Sequence, residues 1–193
     1  MALPALTSNE PSPRTATLPD ALSDADSIVT SLATDDESPT TLTGNDLNGA
    51  LGGSLILPHN VTVTSAAAVG AYAIVDPIVV TGTNWDGRTI SEELQLTDAD
   101  GGEVLETTAA FLTVDSIEIP IQADDDGALE FGTTNIHIPG CREVRANSDG
   151  NLSVIYEGGF TDTLPCKDGE HHPINFHTIV ADETTVAPLI IYF

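Results

Sequence analysis

From Ser54 onward, apolar residues in this chain return at every second position, in short runs broken by Gly, Pro, Asn and Asp. That spacing suits strands with one buried face, because successive side chains of an extended chain point to opposite sides. Thr89–Thr97 places Ile90, Leu94 and Leu96 on one face, and Phe111–Pro120 alternates throughout. Phe131, Ile136, Ile138, Val144, Leu152, Val154 and Tyr156 continue the series. Turn residues separate the runs at Asn84-Trp85-Asp86-Gly87, Asp98–Gly102, Asp124–Gly127 and Ser148-Asp149-Gly150. Within SLILPHNVTVT, Pro58 predicts a bent strand or a strand pair, and Asp76-Pro77 marks a kink or a sheet edge. Short turns without helical crossovers exclude the parallel α/β folds and predict an all-β domain over 54–193, a β-sandwich of about nine strands.

The last stretch, Thr163–Phe193, reads as a proline-led turn followed by two strands. Ile174, Phe176, Thr178 and Val180 share one face of the first, and Leu189, Ile191 and Phe193 share one face of the second. Ile190 and Tyr192 leave the other face of that final strand apolar as well. Such a strand needs cover on both sides, which predicts a homo-oligomer joined through Leu189, Ile191 and Phe193.

Residues 1–53 differ in texture, being rich in Ser, Thr, Pro, Asp and Ala. Within LPDALSDADSIVTSLAT, Thr17 suits a helix cap, Pro19 a first turn, and Asp20 and Asp24 the positive end of a helix dipole. Leu18, Leu22, Ile28, Val29 and Leu32 then form a narrow apolar stripe. The expectation is an extended, partly helical arm that docks through Leu22, Ile28, Val29 and Leu32, followed by a linker at Thr43–Gly53. A disordered tail fits the same composition.

Charge is the most extreme property of the chain. Thirty Asp and Glu stand against five Lys and Arg, a formal net charge of −25, and Lys167 is the sole lysine. The acids are spread between the apolar runs, so the chain is not a globule with an acidic tail. A surface of this kind repels itself at low salt and is relieved when salt screens it. The composition resembles that of proteins from organisms that keep molar salt inside. It excludes nonspecific nucleic-acid binding, which needs cations to neutralise phosphates. Neither a signal peptide nor an apolar run of about 20 residues is present, so no membrane partner is expected. Hydrophobic residues make up 40% of the chain but aromatics only 5%, which predicts a core of Val, Ile, Leu and Ala.

Few residues suggest chemistry. Cys141, Cys166, His171, His172 and His177 are the ligand types of a zinc site, but no Cys-x-x-Cys occurs and adjacent histidines diverge on an extended chain. A Cys141–Cys166 disulfide and two unlinked thiols both remain open. Asp124-Asp125-Asp126 and Asp98–Glu103 offer hard oxygens without the ligand periodicity of a calcium loop. Asn60-Val-Thr and Asn151-Leu-Ser match the glycosylation acceptor pattern. No nucleophile elbow, phosphate loop or dinucleotide fingerprint appears, so neither catalysis, a cofactor nor a small-molecule substrate is expected.

Two stretches resemble the capsid-associated and head–tail structural proteins of tailed viruses. One carries Gly82-Thr-Asn-Trp-Asp-Gly87, then Ser91-Glu-Glu-Leu94, then Phe111-Leu-Thr-Val-Asp-Ser-Ile117. The other is the ending, TLPCKDGEHHPINFHTIVADETTVAPLIIYF, where Cys166 and Asp182-Glu183 depart from that family's pattern. The resemblance covers 79–193. It implies a non-enzymatic virion protein, a capsid decoration or vertex turret component, binding a major capsid protein and itself as a trimer or pentamer. With the acidic composition, the virus would infect a halophilic archaeon. A head–tail connector or tail protein is the alternative on the same particle. A cell-surface carbohydrate-binding sandwich is the alternative of another class, disfavoured because Trp85 is the sole tryptophan.

Overall fold

The computed structural model describes residues 15–18, 24–173, 176–181, 183–186 and 188–192. These form fourteen strands: β1 (Thr15–Leu18), β2 (Asp24–Ala33), β3 (Thr40–Thr43), β4 (Ser54–Ser65), β5 (Ile78–Thr83), β6 (Thr89–Leu94), β7 (Val104–Ile119), β8 (Ala128–His137), β9 (Glu143–Ala146), β10 (Gly150–Tyr156), β11 (Thr161–Cys166), β12 (His171–Pro173), β13 (Phe176–Ile179) and β14 (Leu189–Tyr192). The helical content described is one 3-10 turn, Gly44–Asp46. The all-β, sandwich-like expectation holds, with more strands than the about nine that periodicity predicts.

Two antiparallel sheets carry the strands. The smaller runs β1-β14-β9-β12, and the larger runs β11-β10-β13-β8-β4-β7-β5-β6, with β2 added to β8 and β3 to β7. Two separate cores result. In the first, Ile28 and Val29 of β2, Val61 and Val63 of β4, Ile78 and Val80 of β5, Phe111 and Ile117 of β7, and Phe131 of β8 meet as the large sheet curls over itself. In the second, Val144, Ala146, Leu189 and Ile191 of the small sheet pack on Ile136, Leu152, Val154, Phe176 and Ile179 of the large one.

Strand β4 serves both cores. Leu57 belongs to the second, Val61 and Val63 to the first. Between them the pairing of β4 slips, against β7 between Ser54 and His59 and against β8 between His59 and Val61. Pro58, which has no N–H to give a ladder, sits in that slip. The bent strand predicted at Pro58 is therefore real, and it sets the waist between the two cores.

One expectation is corrected. The helical arm is not supported, because Ile28, Val29 and Leu32 lie on strand β2, paired with β8 at Val29↔Phe131 and Leu32↔Leu129. Leu22 lies outside the described residues. Ile28-Val29-Thr30 is a β-branched run that pays no penalty in a strand, and neighbours in the sheet outweigh the weak capping signals. Residues of the expected linker, just before the boundary drawn between 53 and 54, pack on the strands. Gly49 and Leu51 donate backbone bonds to Ile28 and Ser27 carbonyls at 2.9 and 2.8 Å, and Leu47 is buried in the first core. The expected linker is thus a flap folded over β2. Finally, β14 is an inner strand between β1 and β9, with Leu189 and Ile191 fully buried in their own subunit. The second core covers these two side chains, and Ile190 and Tyr192 on the other face are half-buried. Phe193 lies outside the described residues.

Candidate functional site

The waist holds a groove of about 240 Å³ lined by Pro58, Asn84, Trp85, Ala110, His137, Pro139 and His177. The hairpin between β5 and β6 brings Trp85 to its rim. Asn84 Oδ1 accepts from Asp86 N and Arg88 N at 3.0 Å each, and Gly87 takes a positive φ of 73°, which fixes a tight turn with the indole 42% exposed. Because that oxygen is engaged, the Asn84 amide presents its N–H2 as the remaining donor.

Opposite the indole, His137 and His177 stack with ring centroids 6.5 Å apart. A chain of hydrogen bonds sets their tautomers. Asn60 Nδ2 donates to Thr107 O at 2.5 Å, so Asn60 Oδ1 accepts from His137 Nε2–H at 2.9 Å. His137 Nδ1 is then an acceptor and faces the Thr178 hydroxyl at 3.5 Å. That hydroxyl lies 2.6 Å from His177 Nδ1, which donates to it. His177 Nε2 is left with the lone pair. Burial holds the His137 ring below the usual histidine value, and His177 beside it adds to the shift. His59, beneath the same waist, is pushed down by burial too, partly opposed by its 2.6 Å bond to Leu57 O and reinforced by His137. The groove is thus mostly apolar, with the imidazole edges and one amide donor as its polar groups.

The zinc-type residues named from sequence are dispersed. Cys166 Sγ lies 3.2 Å from His172 Nε2, and Glu170 Oε2 is 3.9 Å from the same nitrogen. His171 pairs with Glu143, and His177 belongs to the groove. Cys141 Sγ donates to the Glu143 and Tyr192 carbonyls at 3.3 Å. The cysteines are free and unlinked. Both thiols are pushed up, chiefly by burial, with the Glu170 charge adding to Cys166 and Glu143 to Cys141. A thiol held protonated is a poor nucleophile.

Among the described residues, the group of three ligand atoms lying together is Asp124, Asp125 and Asp126, all exposed. Asn60 is buried, with its amide committed to Thr107 O, so the first glycosylation pattern is closed; Asn151 is exposed on β10. His59, His137 and the Trp85 groove were not foreseeable as a site. Pairing of β13 with β8 brings 177 beside 137, and the β5–β6 hairpin carries 85, contacts between positions far apart in the chain.

No family model matches the chain, and neither a curated protein nor a solved structure matches it.

Proposed function

We propose that this chain is a non-enzymatic structural protein of a virion, a decoration or vertex component on the head of a tailed virus of a halophilic archaeon. The observation that carries the reading is an all-β body of two antiparallel sheets beneath a coat of thirty carboxylates set against five cations. Both thiols are raised, His59 and His137 are lowered, and the carboxylates face solvent with few cations near them. Thiols tuned for catalysis shift toward the thiolate at neutral pH, and these two shift away from it. Copies grouped in threes or fives would then follow positions offered by the head, since Leu189 and Ile191 are already covered. Immunogold labelling of purified particles tests the assignment. Label on heads supports it, label on tails moves the protein to the connector or tail, and particles without label overturn it.

One feature favours the second reading, a carbohydrate-binding module. An exposed indole, a mostly apolar floor, the Asn84 amide and the imidazole edges are partners a single sugar ring uses. Trp85 is the sole tryptophan, so quenching of intrinsic fluorescence by glucose, galactose or N-acetylglucosamine reports on this groove alone. No response to any of the three removes the reading.

A further inference from the structure

At one end of the first core, four segments are laced together: 34–38, 66–77, 98–102 and 120–127. Thr34 N donates to Gly127 O at 3.0 Å, Gln122 N to Asp35 O at 2.8 Å, Ala123 N to Ala71 O at 3.1 Å, and Ala68 N to Asp100 O at 2.8 Å. Buried Tyr72 pins them, its hydroxyl 2.7 Å from Ala66 O and accepting from Ala128 N at 3.0 Å. Across this framework the chain exposes Val69 (91%), Val75 (82%), Ile74 and Ile121. Elsewhere β-branched apolar residues are mostly packed away, so four on one tethered surface mark an interaction site.

The segments that carry them have one sign of charge. The four segments contain nine acidic residues, Asp35, Asp36, Glu37, Asp76, Asp98, Asp100 and Asp124 to Asp126, and no Lys or Arg. Asp125 is pushed up by Asp124 first, then by Asp126 and Asp36, the mark of carboxylates crowded without a cation. Three of the chain's five cations, Arg142, Arg145 and Lys167, belong to the strands and turns of the second core.

We infer that this end is the attachment surface, and that its partner is a protein surface with an apolar centre and a rim of lysine or arginine. The inference rests on the virion reading for where that partner sits, on the head. A second copy is a poor occupant, because two such ends would oppose nine carboxylates to nine. A cationic rim matches the acids and leaves the valines and isoleucines to be desolvated at the centre, the arrangement of protein interfaces in general.

The test is cosedimentation with heads stripped of this protein. Wild type is compared with Val69→Ser/Val75→Ser, with Asp124→Asn/Asp126→Asn, and with Phe160→Ser, a control on the exposed β10–β11 turn. Circular dichroism confirms that each folds. The valine pair is expected to weaken binding by about tenfold or more, as central anchors do. The aspartate pair should weaken it less and flatten its salt dependence, and Phe160→Ser should leave it unchanged. Wild type that fails to sediment with heads overturns the virion reading and this partner with it. Wild type that binds while the valine pair binds equally overturns the surface alone. Self-association of wild type, lost in Val69→Ser/Val75→Ser, would make the occupant a second copy and overturn the cationic partner.

Discussion

His59 and His137 are carried inside the waist as neutral rings, and that state has a pH signature. Both are pushed below the ordinary histidine value by burial. Well above the ordinary histidine value of about 6.5 neither the folded nor the unfolded chain binds these protons, and the pair adds no pH dependence. Below it the unfolded chain takes up protons that the fold refuses. Stability is therefore lost as pH falls from the ordinary value toward the lowered folded ones. Melting midpoints at constant high salt should drop between about pH 7 and 5. In His59→Gln, which keeps a donor for Leu57 O but cannot titrate, the drop should be shallower. An identical slope would assign the effect to other groups. Gly132 makes a second point at this scale. A Cβ there would run into Asp24 O and the Ala25 backbone, where β2 lies against β8. Gly132→Ala should cost about 1–3 kcal/mol, the range for overpacking a filled site, read from denaturant midpoints. What the sequence showed of single residues was their type and their face. Turns at Asn84–Gly87 and Asp98–Gly102 were legible because their conformations belong to a few adjacent residues. The partners of His59, His137 and His177 were not, since those contacts join strands far apart in the chain.

Among elements, β2 and β14 show how local pattern and tertiary cover divide the work. Alternation in Leu189-Ile190-Ile191-Tyr192 correctly read as a strand needing two covered faces. It could not say that β1 and β9 occupy the edges and the second core covers Leu189 and Ile191, while Ile190 and Tyr192 stay half-buried. Ile191→Ala should therefore destabilise the single subunit by about 2–5 kcal/mol, as buried truncations do, without changing its sedimentation. A variant that keeps its stability but loses mass would return the contact to an interface. In β2 the misreading had the opposite cause. Apolar positions 28, 29 and 32 fit a helix stripe, but they also fit a strand buried from both sides, and the flap at Leu47–Leu51 provides the second side. Removing 1–53 takes Ile28, Val29, Leu42 and Leu47 from the first core and bares one edge of β8. The 54–193 fragment should be unfolded or aggregated by circular dichroism and light scattering. A soluble fragment with native far-ultraviolet and near-ultraviolet signals would restore the separate arm.

For the molecule as a whole, charge decides the conditions under which the fold survives. A formal −25 is spread over a surface whose described Lys–carboxylate pair is Lys167–Asp149, 3.0 Å apart and exposed at both ends. A pair of that kind is worth about 0–1 kcal/mol, so pairing does not offset the repulsion. The crowding registers locally, where Asp26 is pushed up by Asp24 and Asp125 by Asp124. A raised carboxyl binds its proton more tightly folded than unfolded. The associated penalty is present above the raised value and is relieved as pH falls through it, opposite in sign to the histidine effect. Screening acts on the same repulsion. The Debye length shortens from about 10 Å at 0.1 M to 3 Å at 1 M, below the spacing of most surface charges. The melting midpoint at neutral pH should therefore climb through that range of potassium chloride. Salt also strengthens apolar burial, so the rise alone does not identify its cause. Repeating the series near pH 4, where about half the carboxylates are protonated, separates the two. Relief of repulsion predicts a much smaller rise there, whereas strengthened burial predicts the same rise at both pH values. Equal slopes would mean that the acids are not what ties this fold to salt, and the halophilic part of the proposal would fall with them.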